Sequence, residues 1–566
     1  MFLTTARRMR RAALAGAVAL ATVVAVSACS SGSGDSSSTS KDASTLVAYT
    51  GQAGDYQINF NPYSPSQIGG IGTIYQGLFF ITNANSNPPV PLLGKTYTWN
   101  AEGTQLDVTL RDGVKWSDGQ AFSADDVVFT FNMLLKNPSL NTTGFNGTVA
   151  KVDDTHVTFT FKNPAFVDGP NILGRIMIVP EHIWKSIDPT KDVMEHPVGT
   201  GPYVLSNFKP QAYTLGVNTK YWGDKPKVKN VRFVSLSGNT AGADALAAGT
   251  IDWQTGPVPN LAKVSQTYPG YKAITVHTAL NVLITCSNAA LGCQGPQTDP
   301  AVRQAIYYSL DRKQVNSLAY QNTAADISPS LALLSGGQEK YISPSIDPKI
   351  APNSPDTAKS DELLTGAGYT KGSDGYYQKD GKDLSLTVEL VTGWTDYVTA
   401  VDTMSQQLKK AGIKLNASQS SWNEWTDKKT KGNFELAIDN LNQGPASDPY
   451  YVYYSYLNTA NTAKVGEAAP TNIARYSNPE VDEAIAALAK LNPQDTQARQ
   501  AQFDIIQKKI VNDMPYIPIV TGGTTSEFNA KKFSGWPTLD NLYAYPAVWA
   551  SPDNAVIFTT LAPTAE

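Results

Sequence analysis

The chain has 566 residues, 41% of them hydrophobic and 17% charged, an ordinary composition for a globular protein with room for two or three domains. Lysine and arginine total 45 against 49 acidic residues, with no basic block anywhere. That balance excludes a nucleic-acid partner, which needs a positive face to meet phosphate.

The first element in chain order is an export signal. "RRMRR" (Arg7 to Arg11) is a cationic start, "AALAGAVALATVVAV" an apolar run, and "VSAC" places small residues just before Cys29. The run is short and charged on one flank only, which fits a cleaved signal over residues 1–28 better than a spanning helix. "VSAC" resembles the lipobox of bacterial lipoproteins, in which the cysteine is diacylated and becomes the first residue. The Ser/Gly-rich stretch 29–44 then reads as a flexible tether. An ordinary secretory signal and twin-arginine export are the competing readings. Removing the four arginines of residues 1–28 leaves 41 basic against 49 acidic residues, a mature charge near −8.

Strand and helix signals alternate beyond the tether. "QLDVTLRDGVKW" has Leu106, Val108 and Leu110 at period two before an Arg-Asp-Gly turn, and "HVTFTFKN" repeats the pattern with Val157, Phe159 and Phe161. Between them, Ser123 and Asp126 in "SADDVVFTF" read as a capping box opening a helix. "CSNAALGC" places Cys286 and Cys293 seven apart around Gly292, a pair that an oxidising compartment closes into a small disulfide loop. "DPAVRQAIYYSLDRKQV" reads as a helix capped by Asp299, and "SPDTAKSDELLTGAG" as another ended by its glycines. "SNPEVDEAIAALAKL" is a third, with Asn478 as cap and Val481, Ala484, Ile485 and Leu488 on one face. Mixed strands and helices without repeats mean an α/β protein of more than one domain.

Catalytic patterns fail on inspection. There is no HExxH and no GxSxG, and "PPVPLLGKT" has Pro89 where a phosphate loop needs its first glycine. "SNFK" matches Ser-x-x-Lys by two residues only and lacks a KTG partner. With four histidines in the chain, none beside the cysteines, no metal is expected. No cofactor is expected either.

Five stretches together resemble the family 5 solute-binding proteins of ABC importers, the oligopeptide- and dipeptide-binding group. They are "LRDGVKWSDGQAFSADDVVFTF", "VGTGPYVLSNFKPQAYTLGVNTKYWGDKP", "DPAVRQAIYYSLDRKQV", "AKSDELLTGAGYTKGSDGYY" and the long segment from Tyr476 to Ile519. The resemblance implies a periplasmic-binding-protein-like (type 2) clam of two lobes and three domains. Domain I would be discontinuous (45–64, 180–283 and 525–566), domain II would take 65–179 and domain III 284–524, with the cysteine loop at the crossing into domain III. It implies a monomeric receptor, not an enzyme, that closes on a solute and hands it to ABC permease subunits. Its membrane contact would be the Cys29 lipid on the outer face of the cytoplasmic membrane. A chemosensory receptor on the same fold, or a secreted hydrolase, is the alternative.

The ligand stays open between a short oligosaccharide and an oligopeptide, with a metal chelate a distant third. Peptide-binding members pair the peptide ammonium with an Asp shortly before an Asp/Glu-Pro. Here the segment between Asp439 and Asp448–Pro449 offers Asn440, Asn442 and Gln443 instead, and a buried ammonium without a carboxylate is costly. Asp439 is the one substitute. "TGWTDYVTA" (Trp394, Asp396) and "SWNEWTDKKTKGNF" (Trp422, Trp425) resemble segments of the family's oligosaccharide-binding branch, where flat aromatic faces and amides suit a sugar.

Overall fold

A computed structural model describes residues 44–564, apart from residues 52, 53, 65 and 257 and the side chains of residues 422 and 423. Cys29, the signal and nearly all of the tether lie outside the described residues. The period-two segments form strands Gln105–Leu110 and His156–Thr160, and every alternating apolar residue named above for them is buried. They pair antiparallel inside a four-stranded sheet. Helix Ala124–Lys136 follows a complete capping box, with Ser123 and Asp126 each bonding the other's backbone.

Three helix expectations meet the structure differently. Helix Pro479–Lys490 starts at the Asn478 cap and buries Val481, Ala484, Ile485 and Leu488. Helix Thr357–Gly366 is capped by Asp356, and Gly368 turns the chain away at φ +84°. The "DPAVRQAIYYSLDRKQV" helix is two helices, Pro300–Ser309 and Arg312–Ala319. Leu310 is extended, and the Asp311 side chain accepts from Gln314 N to start the second helix. An internal Asp is a better cap than helix interior, and here it acts as one. The bend at "GTGPY" needs glycine for close approach rather than for a special φ. A Cβ on Gly199 would sit 1.9 Å from the Ile74 carbonyl oxygen, and one on Gly201 2.2 Å from that of Thr73.

The large sheet has ten strands. From one edge they run Lys414–Ser420, Ser385–Val391, Leu436–Leu441, Tyr271–Thr285, Tyr516–Asn529, Trp253–Thr255, Thr45–Tyr49, Asn230–Val234, Ala212–Val217 and Tyr203–Lys209. Two strands, Tyr271–Thr285 and Tyr516–Asn529, are far longer than the rest and pair antiparallel along their length. They divide the molecule. Ile274, Val276 and Phe528 belong to one apolar core, which also holds the four-stranded sheet, while Leu280, Val282 and Val520 belong to a second. The register slips between His277 and Ala279, at the passage from one core to the other. The protein is therefore a two-lobed α/β molecule whose lobes share one pair of continuous strands.

Cys286 and Cys293 form a disulfide with Cα atoms 5.5 Å apart, buried in the second core just beyond Thr285. The loop thus follows the C-terminal end of the long strand, within the second lobe. Val465 N donates to Leu291 O across it.

Candidate functional site

The passage between the cores opens into a cleft. Its central cavity, of about 500 Å³, has Thr278, Ala279 and Thr524 from the two long strands on its floor. The first lobe supplies Gln67, Asn83 and Arg175, and the second lobe Asn440, Asn442 and Gln443. The segment Tyr545–Asp553 adds Tyr545, Trp549, Ser551 and Asp553. Three neighbouring cavities share lining residues with this one. One of about 500 Å³ shares Asn83 and Thr278, one of about 310 Å³ shares Gln67 and Trp549, and one of about 350 Å³ shares Gln67 and Arg175. The open space is therefore elongated.

Local structure explains how each group arrives there. Asn440 lies on the same face of strand Leu436–Leu441 as buried Leu436 and Ile438 but near the strand's end, where that face leaves the core, and it pairs in register with Asn281. Asn442 N donates to the Tyr456 hydroxyl at 3.0 Å, which fixes the chain as it leaves the strand. Gln443 is 3% exposed. Its Oε1 accepts from Gln338 Nε2 at 3.1 Å, while its own Nε2 has no partner among the described residues. A buried amide donor left unpaired on a cavity wall costs free energy until something fills it. Trp549 is 52% exposed, with its ring centroid 5.9 Å from that of Tyr545.

Of the residues anticipated from sequence, Asn440, Asn442 and Gln443 line the cavity. Asp439 is not on the wall; it forms an ion pair with Lys429 and also accepts from Asn440 N. Trp425 is a correction to the stacking-platform expectation: it is 2% exposed, and its Nε1 donates to Glu389 O. One side of its ring carries the Lys429 ammonium at 3.8 Å, and Trp394 lies at 5.5 Å. No face remains for a ligand. Trp394 precedes helix Thr395–Lys410 and is partly exposed, and Asp396 is exposed in that helix's first turn. Neither lines the cavity. Trp422 opens helix Trp422–Lys431, and its side chain lies outside the described residues. Asp448 caps helix Pro449–Leu457 and pairs with buried Arg499 at 2.8 Å, a structural role.

Sequence reasoning missed Trp549, Arg175, Gln67 and Asn83. No periodicity or motif marks them. "NANSN" and "YPAVWASPDN" read as loops, and only the fold brings loops from three parts of the chain to one cleft.

The family model for bacterial extracellular solute-binding proteins, family 5, matches residues 88–464, more than half of the chain. The chain belongs to this family. Among relatives of this family 5 solute-binding protein, protein XP55 of Streptomyces lividans is 29% identical over 423 residues, covering 73% of this chain and 72% of its own. The oligopeptide-binding protein AppA of Bacillus subtilis is 26% identical over 435 residues, covering 73% and 75%. Among solved structures, a periplasmic oligopeptide-binding protein of an ABC transporter from Thermotoga maritima superposes with a TM-score of 0.82. It is 23% identical and covers 93% of this chain and all of its own. Its mannohexaose-bound form gives 0.74 at 22% identity, covering 93% and 99%. The two-lobed architecture is thus the family's.

Proposed function

We propose that this family 5 solute-binding protein captures a short oligosaccharide in the cleft and delivers it to the permease of an ABC importer. The observation that carries the ligand class is the chemistry of the wall. Five side-chain amides (Gln67, Asn83, Asn440, Asn442 and Gln443) stand with the hydroxyls of Thr278, Thr524 and Ser551 around the exposed face of Trp549. Amides both donate and accept, which matches the hydroxyls of a sugar ring, and an aromatic face matches its apolar side. The unpaired Gln443 Nε2 supports the same reading, since a ligand oxygen satisfies it on binding.

The relatives' names favour an oligopeptide instead, but a peptide needs a carboxylate free to take its ammonium, and the one on this cavity's wall among the described residues, Asp553, is buried and already accepts from Tyr545 N. Asp439, the one substitute the sequence offered, has its charge offset by Lys429. The Thermotoga scaffold binds mannohexaose in the form named above, so sugar is compatible with the fold. In the three-domain division, domain II (65–179) supplies Asn83 and Arg175, domain I (45–64, 180–283, 525–566) supplies Trp549, and domain III (284–524) supplies the Asn440–Gln443 amides. Diacylation at Cys29 and the 29–44 tether would hold the receptor on the outer face of the cytoplasmic membrane. Tethering raises its local concentration at the permease and makes delivery nearly intramolecular.

A thermal-shift screen of neutral and acidic oligosaccharides against peptides tests the ligand class, because a ligand that binds only the folded state raises Tm. Stabilisation by peptides and by no sugar refutes it.

A further inference from the structure

Resting on the oligosaccharide reading of the cleft, we infer that Arg175 forms a carboxylate subsite, so that the solute is an acidic oligosaccharide carrying uronic-acid units. Arg175 lines both the central cavity and the adjoining one of about 350 Å³. Among the described residues on the walls of the four connected cavities it is the sole lysine or arginine. It is half-buried. Its one hydrogen bond is Nη1 to the Ser551 carbonyl at 3.4 Å, a long one, and no ion pair is formed with it among the described residues. A guanidinium has five donors in a planar fork that fits a carboxylate through two parallel bonds. Four of those donors have no partner among the described residues, and Arg175 lines the cavities on both sides.

Asp553 lines the same central cavity as Arg175, and it is otherwise engaged. It is 3% exposed at the start of helix Asp553–Thr560 and accepts from Tyr545 N at 2.8 Å. Burial pushes its carboxyl up from the ordinary range even with Arg175 nearby, because desolvation is the larger effect. No hydrogen bond or ion pair joins it to Arg175 among the described residues. The surroundings of Arg175 also suit a sugar acid better than an isolated anion. On the central side Trp549 offers a stacking face, and on the other side Tyr63, Ser64, Ser139, Thr142 and Thr143 present hydroxyls. A sugar ring on Trp549 with its carboxylate on Arg175 leaves the next ring among those hydroxyls. A peptide C-terminus carries the same chemical group, and the test separates the two sources.

Calorimetry on the purified protein compares pairs that differ in charge alone. Galacturonate, glucuronate and mannuronate trimers are each set beside their methyl esters, and tetra-alanine beside its C-terminal amide. Expected is at least one uronide that binds about tenfold to a hundredfold tighter than its ester, the range for a charge-assisted bidentate pair. Arg175→Gln should bring that acid down to about the level of its ester, with the acid losing far more affinity than the ester, and Arg175→Lys should fall between. An ester that binds as well as its acid in the wild type overturns the inference and leaves the oligosaccharide reading standing, as does binding by neutral sugars alone. Binding of tetra-alanine, lost in the amide and in Arg175→Gln, with no uronide bound, refutes the oligosaccharide reading and keeps the carboxylate subsite. No binding by any acid overturns the inference. If Arg175→Gln fails to fold, the wild-type acid and ester pairs and Arg175→Lys decide between these outcomes.

Discussion

Glu527 offers a stability test that does not depend on any ligand. It lies on the long strand Tyr516–Asn529 and is fully buried, with Oε2 accepting from Gln254 Nε2 at 3.1 Å and Oε1 unpartnered. Burial pushes its carboxyl up from 4.5 to about 8, and the Gln254 bond only partly opposes this. The folded protein therefore holds a proton that the unfolded chain releases near pH 4.5. Stability from this group is complete below the unfolded value and is lost as pH rises, until the folded carboxyl itself ionises near 8. At 1.36 kcal/mol per unit, the cost at pH 7 is on the order of 3 kcal/mol. Glu527→Gln keeps an acceptor for Gln254 and cannot ionise. The variant should match the wild type near pH 4.5 and exceed it by about 3 kcal/mol at pH 7 to 8. For a chain of this length that is about 2–3 °C in Tm. Calorimetric or fluorimetric melts of both proteins from pH 4.5 to 8.5 read the difference directly, so that other titrating groups cancel. A Tm difference that stays flat with pH, or a Gln variant that is the less stable protein at pH 8, refutes the account.

Other outcomes follow from the cleft and from the crosslinks. Trp549→Ala should weaken the best ligand by about 2 kcal/mol, roughly thirtyfold, because an exposed aromatic platform acts as a binding hot spot; calorimetry should show Trp394→Ala, outside the cavity lining, changing affinity by less than about threefold. Gln443→Ala should cost about 1 kcal/mol in affinity, since a neutral hydrogen bond is lost and its partner can rehydrate. Asp439→Asn should lower Tm, because it leaves Lys429 half-buried without its counter-charge, and should leave affinity nearly unchanged; a large affinity loss with Tm intact would restore the peptide-anchor role. Replacing Cys286 and Cys293 by serine should cost about 2.5 kcal/mol in urea unfolding, the closure entropy of so small a loop. Cys29→Ala should release the protein from membranes on fractionation with ligand affinity intact, and membrane retention of that variant with its signal cleaved would refute the anchor.

The parts of the molecule that were legible in the sequence are those whose physics is local. A capping box is four adjacent residues, so Ser123 and Asp126 announced their helix in full. Leu106, Val108 and Leu110 needed only the two-residue period of a strand. Locality also explains the misreading at Leu310. Apolar spacing runs on across Leu310 and Asp311, and nothing in the spacing shows that Asp311 prefers to start a second helix. Trp425 failed for a related reason. Trp422 and Trp425 sit among polar neighbours in sequence, which argued for exposure. Yet the ring of Trp425 is enclosed by Trp394, which opens the preceding helix, and by Lys429 one turn on in its own. A side chain's burial is decided by what packs on it from elsewhere, and flanking residues report that poorly.

The cleft is the extreme case of this dependence. Its floor comes from two strands separated by more than two hundred residues, and its walls from loops beginning near residues 67, 83, 440 and 545. What makes these loops functional is convergence, since an amide in a solvated turn and an amide on a cavity wall look identical in sequence. Gln443 shows the difference. In an open loop its amide would be hydrated and without consequence. Between Gln338 and the cavity it is buried with one end bonded and the other unpaired. That arrangement is stable only because closed packing around the long strands outweighs one unmade hydrogen bond. A ligand oxygen at that position recovers the deficit, and it does so only when the second lobe's amides and the first lobe's Trp549 face the same solute. Affinity and lobe closure are therefore coupled through the same few groups. This is why Gln443→Ala should weaken binding with little effect on melting, whereas Asp439→Asn, behind the wall, should do the reverse.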